Sequence, residues 1–350
     1  MLLWRPRAPA AAPHATARLP PRPVVRHAML ALLVPRLLDL DAATLAACGA
    51  LARVAARARA EVVDGAEAAL LRALGIEAAA APLAALGAGI DVGGDWVARA
   101  DPVTTHVSHD DVRIVARVDD LRDDEVAALR ALLERHFAED GLAFAAPRRD
   151  AWFVRSAVPY ALDTVPLGAA VGRPLRSRLP SGADAKRWRR WWTEVQMLLH
   201  GQPVAARERA PVHALWFADA GCLPAGVAPA LRVFAAPARD GDVLRGLARM
   251  AGADVAPPSA LRHSLAQASA EASIAACTEP LHDARMLDDF ARDVLAPVLD
   301  ALDRGRIDRL VLVGEGRGAA ARWDVGRGGW RERWLPRRAA FAAPPLGDDA

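Results

Sequence analysis

The apolar positions in the first third of the chain follow two different spacings. The consecutive run Met29–Val34 predicts a buried strand. Residues 45–60 and 66–74 have the spacing of amphipathic helices, and Gly75 provides the end of the second one. Residues 78–90 are rich in Ala, Gly and Pro and are predicted to form a loop or a short helix.

The middle of the chain predicts a small unit of four strands and one helix. The helix begins near Asp123 and ends at Asp140-Gly141, because glycine adopts the left-handed conformation at a helix end at little cost. The predicted order is ββαββ, which is typical of an α+β module. The four strands are Trp96–Ala100, Val112–Val118, Leu142–Ala145 and Trp152–Arg155.

A second helix is predicted after Ser181-Gly-Ala-Asp184, which resembles a capping box. Its apolar residues recur at helical spacing and include three tryptophans. Basic residues lie beside them, so a surface for base stacking is one alternative, but burial in the core is the favoured interpretation. The apolar face consists of Trp188, Trp191, Trp192, Val195, Leu198 and Leu199.

The remaining chain alternates between strands and helices. This alternation predicts an α/β fold in which helices cover a mostly parallel sheet. The predicted strands are Val212–Phe217, Leu231–Ala235 and Arg309–Val313, and the predicted helices are Gly241–Met250 and Met286–Leu302.

Charge is distributed unevenly over the 350 residues, whose formal net charge is +3. Residues 1–28 hold five arginines and no acid, and residues 316–338 hold seven arginines against two acids. Residues 29–315 are therefore acidic, and the overall basicity is a weak argument for nucleic-acid binding, which is not expected. Residues 1–27 are predicted to be a disordered basic arm, or an artefact of an upstream start codon with Met29 as the true start.

Cysteines and hydropathy predict a cytoplasmic protein. Cys48, Cys222 and Cys277 are odd in number and lack CxxC spacing, so neither a disulfide framework nor a zinc site is expected. No apolar run reaches the roughly 18–20 residues that cross a bilayer, and no membrane association is predicted.

One group of candidate site residues lies on the tryptophan helix and in the segment after it. A carboxylate, a histidine and an arginine in one region would hold an anion or provide a catalytic acid. The favoured alternative is a hydrogen-bonded network that joins the helix to the loop. The group consists of Glu194, Gln196, His200, Arg207 and Glu208.

The segment Val212–Gly221 predicts a second candidate region. It reads as a strand followed by a turn of small residues, and ligands bind at the carboxyl ends of parallel strands. His213 and Asp219 are therefore candidate ligand-binding residues. The glycines of Gly314-Glu-Gly-Arg-Gly318 lack the spacing of a dinucleotide site.

Metal binding is not predicted. The densest patches of potential ligands are His282-Asp283 and His106…His109-Asp110-Asp111, and both have the character of turns or helix caps. A two-metal site needs several such ligands that converge with open positions for substrate oxygens. No cofactor is expected, with Mn²⁺ or another divalent metal as the alternative if the protein is catalytic.

A series of short motifs along the chain has the order found in a known family. The motifs are Trp96–Val103, His136-Phe137, Asp140–Leu142, Phe144, Pro147, Trp152, Leu179–Gly182, Glu194–His200, Pro203-Val204, Arg207-Glu208, Val212, Leu215-Trp216, Gly221 and Gly246–Ala248. In this order they resemble the bacterial RpfE-type regulatory proteins, a family grouped with the archaeal-type cofactor-independent phosphoglycerate mutases. The resemblance covers about residues 28–338, and the stretch Glu194–Glu208 is its most specific part.

The resemblance implies an alkaline-phosphatase-like α/β fold with a small inserted domain. The ββαββ unit at residues 96–156 would be that insertion, residues 28–95 and 157–338 would form the α/β core, and residues 339–350 a tail. The mutases transfer a phosphoryl group through a serine with two metal ions. At the equivalent strand ends this chain has Pro35-Arg36 and Val313–Gly316 instead of the expected Asp-Gly and Asp-His motifs.

These departures favour a protein that has lost the metal-dependent catalytic site and acts as a regulatory or metabolite-binding protein. The alternative is an active mutase or phosphatase with rearranged metal ligands. An anionic small metabolite is the expected ligand; a protein partner is not identified. Arg99 and Asp101, within the resembling motif Trp96–Val103, complete the candidate ligand-binding residues.

Overall fold

The computed structural model describes residues 29–109, 111–226, 231–266, 273–316 and 318–327. The arm predicted at residues 1–27, the tail at 339–350 and most of the basic segment 316–338 lie outside the described residues. Within the described part, no helix is long and apolar enough to cross a membrane.

Twelve strands and eleven helices are described. The strands are β1 (Met29–Val34), β2 (Ala60–Val63), β3 (Trp96–Val107), β4 (Val112–Arg117), β5 (Ala143–Arg148), β6 (Ala151–Ser156), β7 (Ala214–Gly221), β8 (Leu231–Phe234), β9 (Val255–Ala256), β10 (Ser273–Cys277), β11 (Arg309–Gly316) and β12 (Ala319–Gly326). The helices are α1 (Ala42–Ala47), α2 (Gly49–Ala55), α3 (Ala66–Ala73), α4 (Ala80–Gly87), α5 (Asp123–His136), α6 (Leu167–Ala170), α7 (Ala185–Leu199), α8 (Asp242–Ala251), α9 (Leu261–Ala266), α10 (Ala284–Phe290) and α11 (Ala296–Asp303). Short 3-10 helices lie at Leu37–Asp39, Leu175–Ser177, Arg239–Gly241 and Pro258–Ala260, and a π-helical turn at 291–295 joins α10 to α11.

The large sheet has the strand order β2-β12-β11-β1-β10-β8-β9. Strands β11, β1, β10, β8 and β9 are parallel, and β12 runs antiparallel beside β11. Its central strands are apolar on both faces because helices cover both, as a parallel sheet requires. The predicted α/β class with a mostly parallel, helix-covered sheet is confirmed.

The small sheet is antiparallel and has the order β4-β3-β6-β5, with β7 also paired to β3. The predicted order ββαββ is found over residues 96–156, and β7 adds a fifth strand from a distant part of the chain. Strand β7 was predicted to belong to the parallel sheet, and this prediction is wrong. Apolar runs indicate a buried strand, but they do not specify its partner or its direction.

The tryptophan face of α7 packs against the small sheet, as the favoured interpretation predicts. Trp188 is 0% exposed, stacks on Trp192 with ring centroids 5.5 Å apart, and donates a hydrogen bond from Nε1 to the Phe217 carbonyl oxygen. The predicted capping box is not formed. Asp184 Oδ2 instead accepts a hydrogen bond from the Ala161 amide, at 2.9 Å.

Helix α4 lies between the two sheets and contacts α8 as well as β3 and β7. Glycines allow the backbones of α4 and α8 to approach closely. A Cβ atom on Gly87 would lie 1.9 Å from the Asp242 carbonyl oxygen, and one on Gly246 would lie 1.9 Å from the Leu83 carbonyl oxygen. The apolar cluster around α4 includes Val97 and Phe153 of the small sheet, so one core joins both sheets.

Candidate functional site

The carboxyl ends of β11, β1, β10 and β8 lie at one edge of the large sheet, because these strands are parallel. Open α/β sheets bind ligands at this edge. Glu315 lies near the end of β11, Thr278 follows β10, and Arg239 lies in the 3-10 helix after β8. Across from them, β3 and β7 of the small sheet carry Arg99, Asp101 and Asp219.

Arg99 on β3 is 2% exposed and links this edge to α3. Its Nη2 atom donates to both carboxylate oxygens of Glu67, at 2.5 and 2.7 Å. Its Nε atom lies 3.6 Å from Asp219 Oδ2. Burial favours the neutral guanidine, but the adjacent carboxylates outweigh it and raise the pKa of Arg99. The guanidinium therefore stays charged inside the protein.

Asp101, two residues later on β3, is 0% exposed and binds Arg239. Arg239 Nη2 donates to Asp101 Oδ2 at 2.7 Å, and its Nη1 donates to the Asp150 carbonyl oxygen at 2.9 Å. Breaking one partner of a buried pair of this kind costs roughly 3–5 kcal/mol. The pair therefore connects the small sheet to the end of β8.

A bulge in β7 positions Asp219. The register with β3 shifts between Val97 and Arg99, and Asp219 has a φ of 55°. Few residues other than glycine adopt this left-handed conformation, although Asp tolerates it better than most. Burial, together with the carboxylates of Glu67 and Asp101, raises the pKa of Asp219 to about 6, while Arg99 opposes the shift.

Glu315 adds a further carboxyl group at the end of β11. Its Oε1 atom would lie 3.1 Å from a Cβ on Gly168, so α6 packs closely on it. Burial is the largest cause that raises the pKa of Glu315 to about 8, and the carboxylates of Asp240 and Glu67 add to it. We call these residues, together with the charged groups that shift their pKa values, the carboxyl-edge cluster: Glu67, Arg99, Asp101, Arg117, Asp219, Arg239, Asp240 and Glu315.

Three buried polar atoms at this edge have no hydrogen-bond partner among the described residues. They are Arg99 Nη1, Asp101 Oδ1 and Thr278 Oγ1. Such atoms are rare in folded proteins and are usually satisfied by a water molecule or a ligand. A donor and an acceptor therefore remain for a polar molecule in the cluster.

The residues at this edge do not fit a divalent metal ion. In the part of the chain that the structure describes, no three His, Cys, Asp or Glu side chains are grouped for metal binding. The Glu67 oxygens and Asp101 Oδ2 accept from guanidinium groups instead. His282 Nδ1 lies 2.5 Å from Arg36 Nη1, and Asp283 caps α10 through the Met286 amide.

The second patch considered for metal binding gives the same result. Asp111 pairs with Arg113 at 3.4 Å, while His106 and His109 are exposed. Asp110 lies outside the described residues.

The nine predicted ligand-binding residues do not lie in one pocket. The structure brings together Arg99, Asp101 and Asp219 only. Glu194 lies in a shallow surface depression of about 470 Å³ with His136, Glu139, Asp140 and Arg190. Arg190 Nε donates to Glu194 Oε1 at 2.7 Å, an exposed i,i+4 pair of modest energy.

Arg207 has a structural position at the start of α5. Its Nη1 donates to Asp120 Oδ1 at 2.8 Å and its Nε donates to Glu125 Oε1 at 3.2 Å. These bonds raise the pKa of Arg207, the Asp120 bond most strongly. This network joins the segment after α7 to the start of α5, whereas the favoured alternative predicted a network with α7 itself.

The other predicted residues lie apart from the carboxyl edge. His213 Nδ1 lies 3.0 Å from both the amide nitrogen and the carbonyl oxygen of Thr105. Gln196 is half-buried on α7, whereas His200 and Glu208 are exposed. The strand end that suggested His213 and Asp219 is not the end of a parallel strand, and Asp219 reaches the cluster through the β7 bulge instead.

Sequence reasoning missed five members of the cluster: Glu67, Arg117, Arg239, Asp240 and Glu315. Glu315 carried a usable signal, because it is a charged residue between glycines at the end of a buried apolar strand. Glu67 lies in the first turn of α3 and reads as an ordinary acidic helix start. Arg239 and Asp240 lie in a loop whose position is set only by the tertiary fold.

Neither a protein-family model nor a curated protein matches the chain. Among solved structures, the fold is similar to a cofactor-independent phosphoglycerate mutase from Thermoplasma acidophilum. The TM-score is 0.41 at 16% sequence identity, over 87% of this chain and 91% of that chain. It is also similar to the PH0037 protein from Pyrococcus horikoshii, with a TM-score of 0.45 and 15% identity over 87% of this chain and 89% of that chain. At these TM-scores and identities the similarities do not extend to the chemistry of the site.

Proposed function

We propose that the chain is a regulatory or metabolite-binding protein that binds a small polar molecule at the carboxyl-edge cluster, without metal-dependent phosphoryl transfer. In this proposal it is a cytoplasmic, phosphoglycerate mutase-like protein of the RpfE type, with an alkaline-phosphatase-like core and the 96–156 insertion. The sequence motifs that resemble this family support the assignment.

One observation carries the proposal. Arg99 Nη1 and Asp101 Oδ1 are buried without a hydrogen-bond partner in the described part of the chain, at the edge where α/β sheets bind ligands. Leaving a buried polar group unpaired costs about 1–3 kcal/mol, and more when the group is charged. A ligand with an acceptor and a donor would recover this free energy on binding.

Two carboxylates of the cluster are already paired with arginines, which supports a role without metal catalysis. Metal-assisted phosphoryl transfer needs cations that bridge and neutralise the phosphoryl oxygens. In the carboxyl-edge cluster, Arg99 and Arg239 already neutralise Glu67 and Asp101. Arginine side chains do not lose their proton in proteins, so both guanidinium groups stay charged and hold these carboxylates in ion pairs.

The test is a ligand screen by thermal unfolding on the wild type, Arg99→Lys and Glu77→Gln. The panel contains small polar metabolites, among them 2- and 3-phosphoglycerate. Lysine keeps the charge but lacks Nη1 and the planar geometry, whereas Glu77 is exposed and provides the matched control. We expect at least one compound to raise the midpoint of the wild type and of Glu77→Gln, and not that of Arg99→Lys.

Two results would contradict the proposal. One is a complete panel without any shift that depends on Arg99. The other is manganese-dependent interconversion of 2- and 3-phosphoglycerate by the purified protein, which would support the alternative of rearranged metal ligands.

A further inference from the structure

The carboxyl end of β1 lies between the ends of its two parallel neighbours, β10 and β11, in the middle of the large sheet. The chain continues there as Pro35 and Arg36. The Leu281 amide donates to the Pro35 carbonyl oxygen at 3.1 Å, which brings the segment after β10 alongside the end of β1. Arg36 and His282, which are 246 residues apart in the sequence, therefore meet at this strand end.

The backbone of Arg36 has a left-handed conformation, with a φ of 60° and a ψ of 13°. Glycine adopts this conformation freely, whereas a Cβ atom makes it unfavourable. Arg36 and Asp219 are the two non-glycine residues with a positive φ in the described part of the chain. Strained residues of this kind cluster at binding and catalytic sites. The strain points to a role for the Arg36 side chain that glycine would not fulfil.

Two contacts hold the guanidinium group of Arg36 in place. Its Nε atom donates to Asp39 Oδ2 at 3.1 Å, and its Nη1 atom lies 2.5 Å from His282 Nδ1. A guanidinium has no acceptor atom, so Nδ1 is the acceptor and the imidazole proton lies on Nε2. Both contacts restrict the rotation of a long side chain, which lowers the entropy that is lost when a ligand binds.

Donors on this guanidinium group remain available. A guanidinium has five N–H groups, and the contacts with Asp39 and His282 use one from Nε and one from Nη1. No residue in the described ranges accepts a hydrogen bond from Nη2. The Arg36 side chain is 41% exposed and His282 is exposed as well. A small solute can therefore reach the free donors from solvent.

The acids next to these residues in the sequence are bound by backbone amides. Asp41 Oδ1 accepts from the Thr44 amide at 2.9 Å, and Asp283 Oδ1 accepts from the Met286 amide at 2.8 Å, each at the start of a helix. These two carboxylates satisfy helix ends and do not accept from Arg36. Asp39 accepts from Nε, which leaves the Nη2 end of the guanidinium open.

We propose that Arg36 binds an oxyanion, the phosphate or carboxylate group of a small metabolite, at the carboxyl end of β1, with His282 as a positioning residue. A guanidinium group pairs with both kinds of oxyanion through parallel hydrogen bonds from its planar N–H groups. This inference goes beyond the proposed function, because Arg36 and His282 are not members of the carboxyl-edge cluster.

The experiment adds inorganic phosphate, acetate or chloride to the full chain at equal ionic strength. Binding is followed by NMR through the backbone amides of residues 36–39 and 281–283. We expect saturable shifts of these signals with phosphate, with acetate or with both, and none with chloride, which has no pair of oxygens. The phosphate and acetate arms show which oxyanion binds more tightly.

Arg36→Lys keeps the charge but loses the planar N–H groups, and it should weaken oxyanion binding about tenfold. The matched control is Arg285→Lys, at an exposed arginine three residues after His282, which should bind as the wild type does. His282→Ala should weaken binding in the wild type but not in Arg36→Lys, because His282 acts through the Arg36 guanidinium.

Arg36→Gly separates a binding role from a structural one. Glycine relieves the left-handed strain, so this variant should lose oxyanion binding while its midpoint of thermal unfolding equals or exceeds that of the wild type. A clear fall in the midpoint would show that Arg36 serves to hold the strand end together through Asp39 and His282. That result would overturn the proposal.

Four binding results would also overturn it: no saturable shift with either oxyanion, equal shifts with chloride, unchanged binding in Arg36→Lys, or equal weakening in Arg285→Lys. The proposed function is tested separately, because it depends on Arg99. Arg99→Lys should bind the oxyanion at Arg36 as the wild type does, so that failure of one site leaves the prediction for the other intact.

Discussion

Replacing Glu315 by glutamine should stabilise the protein relative to the wild type, and this difference in the free energy of unfolding should grow as the pH rises. The pKa of this carboxyl is raised from 4.5 to about 8 in the folded protein, mainly by burial and then by Asp240 and Glu67. Between these two pH values the folded state keeps a proton that the unfolded chain releases. The stability that this proton contributes is complete below pH 4.5 and is lost as the pH rises through about 8.

The magnitude follows from linkage. The free energy of unfolding of the wild type falls by about 1.4 kcal/mol per pH unit over this interval, and the whole interval corresponds to up to about 5 kcal/mol. This value is an upper bound, because Glu315 is only half-buried by surface area and water weakens the interaction. Glutamine has almost the same shape and does not ionise, so Glu315→Gln avoids this loss.

The assay is urea-induced unfolding of the wild type and of Glu315→Gln at pH values between 4.5 and 8. We expect the difference in the free energy of unfolding to be smallest at the acidic end and to grow with pH in favour of the variant. Glu77→Gln, at an exposed acid, should follow the wild type at every pH. Parallel curves for the wild type and Glu315→Gln would refute the reasoning, because they would show that Glu315 titrates alike in both states.

Three further substitutions test the packing and charge arrangement by urea unfolding. Arg239→Met leaves the fully buried Asp101 without its partner and should cost roughly 3–5 kcal/mol, part of which Asp101→Asn in the same chain should restore; equal stability of the single and double variants would contradict this. Trp188→Ala removes a side chain that is 0% exposed and should cost about 3–5 kcal/mol, with loss of near-ultraviolet circular dichroism. Gly246→Ala places a Cβ 1.9 Å from a carbonyl oxygen of α4 and should cost about 1–3 kcal/mol or more, whereas Gly49→Ala, with nothing within 4 Å, should be close to neutral.

The strongest apolar patterns predict the elements well. The run Met29–Val34 gives β1 with the same bounds in the structure, and the spacing of the tryptophans gives the buried face of α7. Both patterns are local, because consecutive or helically spaced large residues are buried almost wherever the element packs. The α/β class follows from such elements alone.

Strand β10 shows where this reasoning stops. Ser273–Cys277 lies between β1 and β8 in the large sheet, yet Ile274 is its only large apolar residue and the strand was not predicted. The strand is buried because it pairs with β1 and β8 on either side, and its own side chains give little sign of this in the sequence. The direction of β7 also depends on pairing with β3, a partner more than one hundred residues away in the sequence. Strand pairing over this distance is set by tertiary packing.

The candidate site was predicted in part for a similar reason. Arg99, Asp101 and Asp219 lie on two strands that pair with each other, and the resemblance and the turn after Phe217 singled them out. Glu67 and Arg239 reach the same place from a helix and a loop. Since no local pattern records that these segments meet, only the three-dimensional structure identifies them as members of the cluster.

The close packing of α4 has a consequence for the geometry of the candidate site. Gly246 of α8 allows direct backbone contact on one side of this helix, and Gly221 of β7 brings a Cβ position within 2.6 Å of the Ala79 side chain at the other. Helix α4 therefore acts as a spacer of fixed width between the sheets, with little freedom to slide or tilt. Interiors packed at this density shift between discrete arrangements and do not deform continuously. The two sheets are thus held at a fixed separation, and Arg99, Asp101 and Asp219 on the small sheet keep their distance from the strand ends of the large sheet.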